Sequence, residues 1–120
     1  RRSVANVRSG NFTNANRMRV SWSEKAAKAA SQTSVYILTE FGSRANRKFL
    51  KEIERTSLLL EDNPLMGQIE PLLVDKPKQY RSIVVNRLNK IVYYIHGDII
   101  RIAAFWDTRR EPKPQADELE

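Results

Sequence analysis

The sequence predicts an α+β domain: an N-terminal strand, a helical hairpin, then a three-stranded antiparallel meander that completes one sheet. Three observations carry this. Residues 79–110 hold three runs rich in Ile, Val, Tyr and Phe (80–85, 91–96 and 99–106), cut by Asn86-Arg87-Leu88-Asn89 and by Gly97-Asp98. Turns this short and polar join only neighbouring antiparallel strands. Upstream, apolar residues recur at helical spacing in two consecutive stretches. Finally, 120 residues at 41% hydrophobic content are enough for a single core and too few for two.

The elements follow in order. Residues 1–17, RRSVANVRSGNFTNANR, lack periodicity and any apolar core of the kind a secretory signal needs. They are expected to be a disordered basic extension, artificial in origin, with Met18 starting the natural chain; a basic arm for nucleic acid and a targeting peptide are the alternatives. Residues 19–22, RVSW, alternate polar and apolar, so Val20 and Trp22 share one face of a short strand. Ser23 stands where an N-cap belongs, with Glu24 in the first turn opposing the helix dipole. Ala26, Ala30, Thr33, Ile37 and Phe41 then form the stripe of an amphipathic helix. Gly42 fits a C-cap and Ser43 the N-cap of the next helix, which predicts a hairpin with a very short turn. The second helix, 44 to about 61, stripes Ala45, Phe49, Ile53, Thr56 and Leu60, while Leu58, Leu59 and Leu60 widen its apolar surface. Those extra leucines either wedge the helix against its neighbours or offer a groove to a partner's helix. Asn63-Pro64 ends the helix. Residues 65–78 are expected to be a loop, with Met66, Ile69, Leu72 and Leu73 tucked under the domain. The helices would cover one sheet face and leave the other open.

Charge and composition exclude several classes of function. The net charge of +7 favours an acidic or polyanionic partner. It is concentrated in the sheet half, where residues 76–113 carry nine basic and three acidic side chains. With no cysteine there is no disulfide framework or thiolate chemistry, and a reducing cytoplasm is the natural setting. His96 alone cannot anchor a metal site, so no metal or other cofactor is expected. No apolar run reaches the roughly 18 to 20 residues of a membrane span. Gly-rich phosphate loops, a Ser-His-Asp arrangement and paired carboxylates in a pocket motif are all missing from the sequence.

Several short phrases together resemble a known family. They are the strand-helix start with Trp22 and Ala26, then Asn63-Pro64-Leu65-Met66-Gly67, Tyr80-Arg81-Ser82-Ile83, Ile91-Val92-Tyr93-Tyr94-Ile95, and the ending Trp106-Asp107-Thr108-Arg109-Arg110-Glu111-Pro112. Their order and spacing are similar to toxins of the RelE/ParE superfamily. The resemblance implies a toxin domain over residues 18–113; the acidic composition of 114–120 predicts a frayed tail. It further implies the toxin of a bacterial type II toxin-antitoxin pair, a growth inhibitor neutralised by a cognate antitoxin whose C-terminal segment wraps helices and sheet. ParE-like members of the superfamily poison DNA gyrase without a hydrolytic centre; RelE-like members cut messenger RNA on the ribosome.

Cleavage through a 2′-hydroxyl needs a base, an acid and a cation at the phosphate. Arg81 and Arg109 are the candidate cations, and Tyr94 with His96, which share a strand face, are the candidate proton carriers. Each has a plainer reading: His96 as an exposed turn residue, Tyr94 as packing, Arg81 paired with an acid such as Asp107, Arg109 as a solubilising terminus. Contact with a nucleic acid or other target would fall to Arg81, Lys90, Arg101, Arg109 and Arg110, and contact with the antitoxin to Leu58 and Leu59. The Arg-Arg-Glu-Pro ending resembles the ParE side, so a gyrase inhibitor leads, with a ribosome-dependent mRNA endonuclease and a non-toxic nucleic-acid-binding domain as alternatives. Homodimerisation of the free chain stays open.

Overall fold

In the computed structural model, which describes residues 18–110 and Leu119, the chain runs β1 (Arg19–Trp22), α1 (Glu24–Phe41), α2 (Ser43–Asp62), β2 (Gln68–Ile69), a 3-10 turn (Pro71–Leu73), β3 (Arg81–Val85), β4 (Asn89–His96) and β5 (Ile99–Asp107). The expectation for residues 1–17 lies outside the described residues. The strands form one five-stranded sheet in the order β1-β5-β4-β3-β2. β3, β4 and β5 are the predicted meander, and β1 adds to β5 in parallel, Arg19 opposite Ile99 and Trp22 opposite Ile102. Glu61 at the end of α2 anchors β1: its carboxylate accepts from the Val20 N–H at 3.3 Å and its carbonyl from the Met18 N–H at 3.4 Å.

Local chemistry sets the helix ends. The Ser23 hydroxyl accepts from the Ala26 N–H at 3.0 Å, the expected N-cap. Gly42, at φ 94° and ψ 174°, closes α1 through its N–H to Leu38 O and opens α2 through its carbonyl, which accepts from the Asn46 N–H. Ser43 is therefore the first residue of α2 and not its cap, since the glycine backbone fills both cap positions. One layer of core lies between helices and sheet, built from Ala26, Ile37, Phe49 and Leu60 against Val85, Ile91, Tyr93, Ile100, Ile102 and Phe105. A bulge at Ala103 lets Ile102 and Phe105, three residues apart, both enter it. Phe41 continues the α1 stripe in sequence but overshoots the sheet and is 66% exposed.

The loop after α2 departs from expectation. Two of its residues pair with β3 as β2, Gln68 opposite Ser82 and Ile69 opposite Arg81. Of the four apolar residues expected to tuck in, only Leu73 does; Met66, Ile69 and Leu72 stay exposed because β2 is an edge strand and the 3-10 turn presents one residue inward. Leu73 joins Tyr80, Val92, Ala104, Trp106 and Leu119 in a second cluster on the sheet face away from the helices. That face is partly covered, where an open one was expected. Leu119 belongs to the tail expected to fray, yet it is buried here.

Candidate functional site

The largest concavity lies where the α1–α2 hairpin faces the β3–β4 turn and the end of β5. It is a groove of about 800 Å³. Ile37, Phe49 and Phe105 line its base, Tyr36, Phe41 and Leu88 its apolar walls, and Lys48, Arg109 and Arg110 are its cations. The Tyr36 and Phe41 rings meet edge to face at 6.2 Å. The β3–β4 turn that forms the far wall needs two left-handed residues, Asn86 at φ 52° and Arg87 at φ 58°. It is pinned from both sides: Glu52 of α2 accepts from the Asn86 N–H at 2.8 Å, and Thr108 donates its N–H and hydroxyl to Leu88 O at 2.8 and 3.0 Å. The groove is thus a pinned slot with an apolar base and with Lys48, Arg109 and Arg110 among its polar lining. Its residues are far apart in sequence, so no local pattern announces it.

Arg109 is held by Asp107, whose Oδ1 accepts from the Arg109 Nε and backbone N–H at 3.1 and 2.8 Å while Oδ2 accepts from Nη2 at 3.1 Å. The Arg109 side-chain bonds keep the Asp107 carboxyl below its ordinary value, outweighing burial. Asp107 is therefore the partner of Arg109, and Arg81 is engaged elsewhere. The Arg81 guanidinium donates to Gly67 O at 2.8 Å and Leu65 O at 3.4 Å. Tyr93, opposite Arg81 in the sheet, donates to Pro64 O at 2.8 Å and accepts from the Gly67 N–H at 3.0 Å. Burial pushes the Tyr93 phenol up, against the Gly67 N–H and the Arg81 charge. Gly67 is required here by space: a Cβ would stand 2.7 Å from the Tyr93 hydroxyl and 2.9 Å from Ser82 O.

The remaining candidates divide. Arg81, Tyr94 and His96 line one small cavity of about 190 Å³ together with Lys78 and Gln79. Tyr94 packs edge to face on Tyr80 at 5.6 Å with the Lys78 ammonium 5.2 Å from its ring centre, and His96 is exposed at the end of β4. Arg109 lines the other concavity. Lys90 forms a 2.7 Å ion pair with Glu70 and lies 5.6 Å above the Trp106 ring. Arg101 donates to Ser21 Oγ at 2.7 Å and Trp22 O at 3.1 Å, stitching β5 to β1. Leu58 and Leu59 are 44% and 39% exposed on α2, outside the residues that line the groove. Among the described residues no cluster of three or more His, Asp or Glu offers a metal site, and no helix is long and apolar enough to cross a membrane.

A helical hairpin laid on one face of a mixed sheet, with a parallel N-terminal strand and an antiparallel meander, is the architecture of RelE/ParE-type toxins. The family model of the ParE toxin of the type II toxin-antitoxin system parDE matches residues 20–112, and the chain belongs to that family. It is the toxin component of a type II toxin-antitoxin system, and the system implies a cognate antitoxin. Among solved structures it is similar to a chain described as "Chromosomal ParDE TA system from P. aeruginosa", at 18% identity and a TM-score of 0.64, over 78% of this chain and 99% of that one. No curated protein matches the sequence.

Proposed function

We propose that this toxin acts in the cytoplasm on DNA gyrase, without hydrolytic chemistry, and that the C-terminal segment of its antitoxin docks in the groove between the helical hairpin and the β3–β4 turn. The observation that carries the non-hydrolytic reading is the engagement of Arg81: the guanidinium that cleavage would aim at a phosphate bonds two loop carbonyls instead. For the antitoxin, the groove offers an apolar floor for a helix's apolar face and Lys48, Arg109 and Arg110 for its acids. Leu58 and Leu59 extend the same partner's contact along α2. Purified chain added to gyrase should block supercoiling or trap cleaved plasmid, and equimolar antitoxin should reverse it. Unchanged supercoiling by a chain that still arrests growth would sink the gyrase assignment.

One observation favours a second reading. Arg81, Tyr94 and His96 share the small cavity with Lys78, the residue types that phosphodiester cleavage uses. A ribosome-dependent endonuclease would leave transcript 5′ ends at fixed codon positions within minutes of induction, and Tyr94→Phe combined with His96→Ala would abolish them. A gyrase poison keeps its toxicity with both substitutions.

A further inference from the structure

The sheet face away from the helices contains a socket whose occupant is the chain's own Leu119. Leu119 is 9% exposed and clusters with Leu73 of the 3-10 turn, Tyr80, Val92, Ala104 and Trp106. Its carbonyl accepts from the Lys76 ammonium at 2.8 Å, so backbone as well as side chain is held. Beside it, a cavity of about 60 Å³ is lined by Trp106, Ala104, Lys25 and Arg110 among others. Trp106 is only 3% exposed, and its buried indole N–H has no hydrogen-bond partner among the described residues. A buried donor left so is costly, and it marks a place where a polar acceptor fits. In sequence, Leu119 is flanked by Asp117, Glu118 and Glu120. The socket's surroundings, with Lys76, Lys25 and Arg110, have the opposite charge.

We propose that this socket is a recognition site for an acidic protein segment carrying a leucine anchor, and that Leu119 is its pseudo-ligand in the free chain. The partner's chemistry is read from the occupant: a leucine fills the apolar floor, its carbonyl meets Lys76, and the acids next to it in sequence are opposite in charge to Lys76, Lys25 and Arg110. The socket's apolar cluster, Leu73, Tyr80, Val92, Ala104 and Trp106, shares no residue with the groove lining, while the small cavity beside it borders the groove through Phe105 and Arg110; the site stands apart from the choice between gyrase and messenger RNA. Because Leu119 is covalently tethered twelve residues beyond Asp107 at the end of β5 (119 − 107), it competes at an effective concentration on the order of millimolar. A partner must therefore bind more tightly than a short peptide does, or be locally concentrated, before it displaces Leu119.

The test uses the full chain and NMR of its two tryptophan indole N–H signals, assigned through Trp22→Phe. Leu119→Asp should shift the Trp106 signal. A synthetic ADELE peptide, matching residues 116–120, should return it to the wild-type position at millimolar concentration, while the control ADEDE should not. In wild type, where the socket is filled, the same peptide should bind at least tenfold more weakly. Lys76→Glu in the Leu119→Asp background should weaken the peptide further. Should Leu119→Asp perturb folding by circular dichroism, Leu119→Ser replaces it. The proposal is overturned by a Trp106 signal that ignores Leu119, by equal action of the two peptides, which would mean general charge attraction, or by equal affinity of wild type and variant.

Discussion

A carboxylate as deeply buried as Glu70, 1% exposed, persists because three donors meet it: the Lys90 ammonium at 2.7 Å, the Ser82 hydroxyl at 2.7 Å and the Leu72 N–H at 3.0 Å. Burial alone would raise its pKa; the three bonds outweigh burial and hold it below the ordinary glutamate value. A carboxyl with a depressed folded pKa contributes stability that is present above its unfolded pKa and is lost as pH falls through the folded value. Glu70→Gln leaves Lys90 without its counter-charge, and since breaking a buried pair costs about 3–5 kcal/mol, and Lys90 keeps some solvent, about 3 kcal/mol is expected at neutral pH. Urea unfolding at neutral pH measures the loss, and a series down to acid should show a shallower decline for the variant than for wild type. Tyr93→Phe removes a buried hydroxyl that serves Pro64 O and the Gly67 N–H at once. The two backbone groups left unsatisfied put its cost at about 1–3 kcal/mol in the same measurement. At high pH the sign reverses: a phenol with a raised folded pKa contributes stability that is full below the unfolded value and lost as pH rises through the folded one.

Between the helices, the hairpin depends on one backbone conformation. Gly42 at φ 94° and ψ 174° lies in a region open essentially to glycine alone, so although a Cβ there would meet no atom within 4 Å, Gly42→Ala should cost about 1–3 kcal/mol. Thermal unfolding checks this, and a wild-type melting temperature would show that the hairpin turn relaxes. Elements with many residues of one period were legible in the sequence: both helices, and β3 to β5, whose alternation and turns name their partners. What escaped was too short or too distant to leave a pattern. β2 is two residues long, and the bulge at Ala103 breaks the alternation that identified β5. The parallel docking of β1 depends on Glu61, some forty residues away. The candidate site was legible as residue types and not as geometry: Tyr94 and His96 do share a face, but whether an arginine is free or bonded to Leu65 O and Gly67 O depends on a loop with no periodicity.

Taken whole, the molecule carries the two recognition surfaces proposed above, chiefly on opposite faces of its sheet. The groove lies on the helical side, with Phe41 and Tyr36 on its wall; the socket of Leu119 lies on the other. The proposed placement of the antitoxin in the groove makes its inhibition testable apart from toxicity. Phe41 is 66% exposed, so Phe41→Asp removes no core contact and folding should be unaffected. In the proposed complex, the same residue is an aromatic anchor in a slot, and such anchors contribute about 2 kcal/mol or more on truncation, roughly thirtyfold in affinity. The added aspartate is also of the same sign as the antitoxin acids proposed to meet Lys48, Arg109 and Arg110. Lys48→Glu acts differently: a rim charge mainly sets the association rate, so its effect should shrink as salt rises, whereas that of Phe41→Asp should persist in the dissociation rate. Surface-plasmon kinetics against immobilised antitoxin at low and high salt separates the two, with growth arrest by each variant as the control. Retained arrest with lost rescue by antitoxin places the antitoxin in the groove. Unaltered dissociation from Phe41→Asp would move it to another surface, with the exposed leucines of α2 the next to test.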